Sequence, residues 1–266
     1  MIFDFCGAKA KVIIAMAHIG ALPGSPGYDS EGGVDKLVDG VAADIERLQE
    51  GGVDAIMFGN ENDRPYVLKA QPEGIAAFAS VVERAKPILK VPFGVNYLWD
   101  PEASVALGAS TGASFVREIF TGVFASDMGV WQPDCAKAMR LRHALGRDDM
   151  KMLFNINAEF AFSLDQRPIE QRAQSAVFSS KADAILVSGP ITGQSVNQSD
   201  LRRVCETVRD RPVLANTGVN RDNVREILSV ASGAIVGTHF KVDGDTWNPV
   251  DGDRVKRFMD AVERLR

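Results

Sequence analysis

Short apolar runs alternate along the chain with longer stretches whose apolar positions recur every three or four residues. The runs cover residues 12–19, 55–61, 92–98, 115–120, 152–158, 184–188, 212–217 and 234–238, and they are rich in Val, Ile and Phe. Unbroken apolar runs of this length are what a strand needs when both faces are covered, as in a parallel sheet. Between the first two runs, Val34, Leu37, Val38, Val41, Ile45 and Leu48 mark one face of a helix that Gly51-Gly52 ends. Leu201, Val204, Cys205 and Val208 repeat that spacing, as do Val255, Phe258, Met259, Val262 and Leu265. Pro72 suits a first helical turn and Asn220 a helix cap.

No Ser-rich linker or low-complexity stretch breaks this rhythm, so one domain over residues 1–266 suffices. Eight strand-and-helix units in a chain of 266 residues predict an α/β fold of one kind, the (β/α)8 or TIM barrel. An open doubly wound sheet is the alternative, but eight regular units suit closure better. A weak internal repeat points the same way. Asp54-Ala55-Ile56 opens the second strand and Asp183-Ala184-Ile185 the sixth; Pro92 precedes Asn96 on the third as Pro212 precedes Asn216 on the seventh. Gly112-Ala113 and Gly233-Ala234 stand before the fourth and eighth.

Composition narrows the function classes. Hydrophobic residues make up 45% and charged residues 24%, which fits a globular chain with a large core. The net charge of −5, without any basic block, argues against nucleic acid as a partner. Cys6, Cys135 and Cys205 are far apart and odd in number, so reduced thiols are expected rather than disulfides or a thiolate metal site. Residues 12–19 are too few to span a bilayer, and the run does not read as a signal peptide with a cleavage site. A cytoplasmic protein without membrane insertion is expected. Self-association is compatible with a barrel of this size, though no interface signature stands out.

In a barrel, ligands meet the loops that follow the strands, so polar residues at strand ends are the candidates for chemistry. After the seventh strand comes Asn216-Thr217-Gly218-Val219-Asn220, and after the eighth Val236-Gly237-Thr238. Glycine there lets backbone N–H groups approach an anion, so Asn216, Thr217, Gly218, Gly237 and Thr238, with Gly189 of Ser188-Gly189-Pro190-Ile191-Thr192-Gly193, are the expected phosphate-binding residues. Tight turning alone would also account for the glycines. On the opposite arc, His18 ends the first strand, where an imidazole can act as acid, base or metal ligand. Glu61, Asp100 and Asn96 complete the expected catalytic set. The carboxylates of Glu61, Asp63 and Asp100 would meet His18 across the barrel axis and hold a divalent cation. No spacing compels a metal, so the cofactor stays open.

Other signals are weaker. Arg117 and Glu118 are adjacent, so strand alternation would turn at most one into the mouth. Lys241 would neutralise an anion or cap the surface; His143, in a basic stretch 140–147 read as a solvated face, and His239 are expected to be structural. No strand carries a mid-run inward lysine, which disfavours a Schiff-base aldolase, and neither a nucleophile elbow nor a Walker loop is present.

The run from His18 to Pro26, HIGALPGSP, is similar to the opening signature of the BtpA/SgcQ family. The likeness continues through Glu61-Asn62-Asp63-Arg64-Pro65-Tyr66, Gly94-Val95-Asn96-Tyr97-Leu98, Ser188 to Gly193, Asn216-Thr217-Gly218-Val219, Ile235-Val236-Gly237-Thr238 and Asn248-Pro249-Val250-Asp251. The resemblance implies a (β/α)8 fold with a phosphate-type site at the seventh and eighth loops. The family takes its name from a protein needed for photosystem I biogenesis, yet most relatives occur in organisms without photosynthesis, often beside sugar or nucleoside uptake and metabolism. Two departures stand out. Relatives commonly show Asn-Asp after the third strand where Trp99 precedes Asp100 here, and a Lys-His pair in the fifth-strand region where this chain reads Asn155-Ile156-Asn157-Ala158-Glu159-Phe160. Trp99 would stack on a base or sugar, or pack on its own loop.

Three functions follow as expectations: an enzyme isomerising, epimerising or cleaving a phosphorylated sugar, nucleoside or related metabolite; an assembly or stability factor without chemistry; or a metabolite sensor.

Overall fold

Eight parallel strands close on themselves in the computed structural model, which describes residues 10–266. Cys6 and the amino-terminal stretch read as lacking a signal peptide lie outside the described residues. The barrel strands are β1 (Val12–His18), β2 (Ala55–Gly59), β3 (Phe93–Asn96), β4 (Phe115–Glu118), β5 (Lys151–Asn155), β6 (Ala184–Val187), β7 (Val213–Ala215) and β8 (Gly233–Val236). They are followed in turn by α1 (Gly33–Glu50), α2 (Pro72–Ala85), α3 (Pro101–Thr111), α4 (Cys135–Ala144), α5 (Ile169–Phe178), α6 (Gln198–Thr207), α7 (Val224–Val230) and α8 (Gly252–Glu263). Closure is made by β8 pairing with β1, in register from Val12 opposite Gly233 to Ala15 opposite Val236. The chain is a TIM barrel.

The apolar runs are unbroken because the strands feed two separate cores. Val12, Ile14 and Met16 point into the barrel with Met57, Phe115, Leu153, Leu186, Leu214 and Ile235. Ile13, Ala15 and Ala17 point outward into the layer between strands and helices, a continuous cluster that includes Ile45, Leu48, Phe78, Val204 and Phe258. Alternate residues are thus apolar for different reasons. Gly94 belongs to this packing: a Cβ there would stand 2.2 Å from the Phe115 ring that fills the barrel.

The predicted strands overshoot the observed ones by one to three residues at their carboxyl ends. Those last residues leave the ladder and form the mouth. Pro72 opens α2 as expected. Asn220 does not cap α7: Asn223 precedes that helix, and Asn220 Oδ1 instead accepts from the N–H groups of Asp222 and Asn223 in the turn before it. The basic stretch 140–147 is only partly solvated. Arg147 donates to the carbonyls of Gly108, Ala109 and Ala113, satisfying the end of α3, while His143 is exposed and pairs with Asp148 at 2.8 Å.

One element has no counterpart in the prediction. Three short strands, Phe124–Ser126, Gly129–Trp131 and Ala161–Ser163, form an antiparallel sheet from the loops after β4 and β5. Its inner side chains Phe124 and Trp131 pack with Trp99, Ile119 and Ala158 and wall one side of the mouth. Cys135 and Cys205 are free, partly buried thiols, and burial pushes the Cys205 pKa up to about 11. Among the described residues no helix is long and apolar enough to cross a membrane.

Candidate functional site

A cavity of about 260 Å³ opens at the carboxyl ends of the strands. His18 and Glu61 line it from one arc, and Asn216, Thr217, Gly218, Gly237 and Thr238 from the other. Residues far apart in sequence thus meet on one concave surface, and the Cβ position of Gly237 would lie only 3.2 Å from His18 Nε2.

Arg117 organises the floor. Its Nε donates to Asn96 Oδ1 at 3.1 Å and its Nη1 to Asn216 Oδ1 at 3.1 Å, so two asparagines on opposite strands fix the guanidinium. Asn216 Nδ2 donates onward to Ser188 Oγ at 2.8 Å. Glu61 Oε1 lies 3.9 Å from Arg117 Nη2. The expectation that only one of Arg117 and Glu118 reaches the mouth is corrected: both line the cavity. Glu118 ends β4, and its carboxylate accepts from Asn96 Nδ2 at 3.0 Å, from the Trp99 N–H at 2.8 Å and from the Ile119 N–H. Strand alternation loses its force where the strand stops.

Burial sets the protonation states here. It pushes Glu118 up to about 7, against the pull of the Ile119 N–H and Arg117. Glu61 and Glu159 are also raised by burial, opposed by Arg117. His18 is lowered to about 3, first by burial and then by the charge of Lys241, so its imidazole is neutral at physiological pH. Its Nε2 lies 3.8 Å from Glu61 Oε2. A neutral imidazole beside carboxyls that retain protons unusually well is equipment for acid–base exchange. Lys241 neither caps the surface nor meets an anion in the mouth: it is buried and paired with Asp44 at 2.8 Å.

Several expected site residues have other roles. Asp100 is the N-cap of α3, accepting from the N–H groups of Ala103 and Ala70 and pairing with Lys69 at 3.2 Å. Asp63 accepts from the Leu22 N–H and from Asn60, tying the first loop to the second. Of the three carboxylates expected to share a cation, only Glu61 lines the cavity. Among the described residues no group of three or more His, Cys, Asp or Glu side chains is placed to hold a metal. Asn96 acts from behind Arg117. The Gly189 N–H donates to Thr217 Oγ1, and a Cβ on Gly189 would meet the Gln194 carbonyl at 2.3 Å. Gly218 combines a φ of +59° with a Cβ position 2.2 Å from the Gln194 backbone, so both turning and close approach demand glycine there.

Sequence reasoning missed two parts of the site. Arg254, in the first turn of α8, lines the cavity beside the seventh and eighth loops, with its Nε on the His239 carbonyl at 2.8 Å. The signal was its place one turn into the helix that follows those loops. His239, read as structural, also lines the cavity while packing on Phe258. The second missed part is an aromatic wall. Tyr66 and Phe160 were not singled out, and Trp99 is buried against Trp131 while lining the cavity, so it packs on its surroundings and faces the ligand space at once.

The chain matches the BtpA family over residues 9–264. It is 46% identical over 256 residues to the putative sgc region protein SgcQ of Escherichia coli K12, with 96% of each chain covered. It is 27% identical over 253 residues to the photosystem I biogenesis protein BtpA of Synechocystis sp. PCC 6803, covering 94% of this chain and 87% of that one. Among solved structures, a ligand-free tryptophan synthase TrpA from M. tuberculosis superposes with a TM-score of 0.59 at 18% identity, covering 98% of this chain and 95% of that one. The phosphoribosyl anthranilate isomerase of Thermus thermophilus gives 0.58 at 12%, covering 96% and 100%. Likeness at such low identity speaks for the barrel and not for a reaction. Matched almost from end to end, the chain belongs to the BtpA family.

Proposed function

We propose that this barrel is an enzyme that binds a phosphorylated small metabolite at its carboxyl mouth and moves protons on it, in an isomerisation, epimerisation or cleavage. The observation that carries the reading is that one cavity is lined by two chemically different sets of groups. The turns after β7 and β8 bring Gly218, Val219 and Gly237 to the cavity together with Arg254. Backbone N–H groups at glycine turns and a guanidinium are the usual means of holding a phosphoryl group. The second set is His18, Glu61, Glu118 and Glu159 around Arg117, with His18 beside the turn at Gly237.

In this reading the phosphate fixes the ligand while its reacting carbon lies over Arg117. Glu118, poised near 7, takes a proton from carbon as a carboxylate and returns one as a carboxylic acid, while neutral His18 and Arg117 stabilise the negative charge that develops on oxygen between the two transfers. Asn96 holds Arg117 from behind the cavity wall, and Asn216 holds it from the lining itself. The free thiols of Cys135 and Cys205 fit a reducing, cytoplasmic setting.

A thermal-shift screen with inorganic phosphate, sugar phosphates and nucleotides tests the reading, because a ligand of the native state raises Tm. Phosphorylated compounds should raise the Tm of the wild type, and Arg254→Ala, whose unliganded Tm should fall with loss of the bond to the His239 carbonyl, should show little of that rise. An Arg254→Ala protein that responds to every compound as the wild type does would remove the phosphate part of the proposal.

A further inference from the structure

We infer that the ligand is a phosphorylated monosaccharide whose ring rests in an aromatic corner made by Tyr66, Trp99 and Phe160. This rests on the phosphate reading above and specifies what the phosphate carries.

The first observation is conformational. Five described residues other than glycine have positive φ, and the two aromatic ones, Trp99 at 71° and Phe160 at 53°, both line the cavity. The left-handed region is unfavourable for a bulky side chain, and strain of this kind gathers at ligand sites. Each backbone is pinned: the Trp99 N–H donates to Glu118 Oε1 at 2.8 Å and the Phe160 N–H to the Pro190 carbonyl at 2.9 Å. Burial does not explain Phe160, which is 38% exposed. A large apolar ring is being held at the rim of a polar cavity against its own backbone preference.

The second observation is the shape of the wall. Tyr66 lies 6.4 Å from both Trp99 and Phe160, tilted by 45° to each. Planar bases stack best between or upon parallel faces. Tilted faces make a corner, which suits a puckered ring that presents C–H groups in more than one direction.

The third is the polar complement. Glu61 Oε2, Asn155 Oδ1 and Trp99 Nε1 are buried atoms of cavity-lining residues that have no hydrogen-bond partner. Two carbonyl-type oxygens and an N–H donor on residues of one cavity lining match hydroxyl groups, each of which donates and accepts. Size agrees: about 260 Å³ is below the roughly 300–1,000 Å³ of sites for drug-sized ligands, which favours one sugar unit with its phosphate.

Isothermal titration of the wild type, Phe160→Gly and Arg254→Ala with inorganic phosphate, a panel of pentose and hexose phosphates, and the nucleotides AMP and UMP tests this. Glycine adopts the Phe160 backbone without strain, which offsets its added flexibility, so the change in Tm of Phe160→Gly should reflect only the loss of the ring's packing on Tyr66, and an unfolding curve checks that it is folded at the titration temperature. The expected result is a sugar phosphate bound more tightly than either nucleotide, weakened about fivefold or more in Phe160→Gly. Inorganic phosphate should bind Phe160→Gly and the wild type equally. Unchanged sugar-phosphate affinity in Phe160→Gly, or a nucleotide bound more tightly than every sugar phosphate, overturns the aromatic corner while leaving the phosphate site standing. If no phosphorylated compound binds and Arg254→Ala changes nothing, both readings fall together.

Discussion

His18 and Glu118 stand in the same buried mouth, and burial moves their pKa values in opposite directions because it disfavours whichever form carries charge. For His18, held down to about 3, the ring signals in a nuclear magnetic resonance titration should stay constant from about pH 5 to 8. A midpoint inside that range would show the imidazole to be solvated. For Glu118 the carboxyl carbon should titrate near 7 instead of near 4.5. Linkage gives the sign for stability. The raised Glu118 contributes stability in full below pH 4.5 and loses it as pH climbs through about 7. The lowered His18 contributes stability in full above 6.5 and loses it as pH falls towards about 3. The two oppose each other between pH 4.5 and 6.5, so above that window the raised carboxyls, Glu118 with Glu61 and Glu159, should act unopposed by His18, as a Tm that declines as pH climbs through about 7. At this scale the sequence showed which polar residues crowd the strand ends. It could not show their partners: whether Asp100 meets a substrate or the N–H of Ala70 depends on the path of a loop thirty residues earlier.

Elements were legible where periodicity governs and obscure where it ends. The eight strands and their helices follow from apolar spacing, yet the strand ends were placed too late because an apolar residue just beyond the ladder looks like one inside it. The small sheet escaped because its strands, Phe124–Ser126, Gly129–Trp131 and Ala161–Ser163, are three residues each, too short for alternation to register. Two substitutions test the helices. Asp100→Ala removes the α3 cap and strands the buried Ala70 N–H, so it should cost about 2–3 kcal/mol in denaturant unfolding while leaving phosphate binding intact. Loss of binding at full stability would return Asp100 to the active site. Gly40 lies mid-helix in α1 with nothing within 4 Å of its Cβ position, so Gly40→Ala should stabilise by about 0.5–1 kcal/mol.

Across the whole molecule, the internal repeat seen in the sequence has a structural meaning. Asp54 Oδ2 accepts from the Ile13 N–H at the foot of β1, and Asp183 Oδ2 accepts from the Met152 N–H at the foot of β5, four strands away. Asn96 and Asn216, the other matched pair, grip Arg117 from two sides. The two halves are therefore tied at one end by aspartates that hold the strands and at the other by asparagines that hold the central cation. Closure was legible because eight units and a repeat report it; the cavity's aromatic corner and Arg254 were not, because they depend on how loops from distant units fall together.

A crystal structure of the protein grown with a sugar phosphate would show where the phosphoryl group sits on the barrel. Density for the phosphoryl group is expected between the turns at Gly218 and Gly237, within hydrogen-bonding reach of Arg254, with the sugar ring against Tyr66, Trp99 and Phe160. A phosphoryl group bound elsewhere on the barrel, with this mouth occupied only by water, would contradict the proposed site.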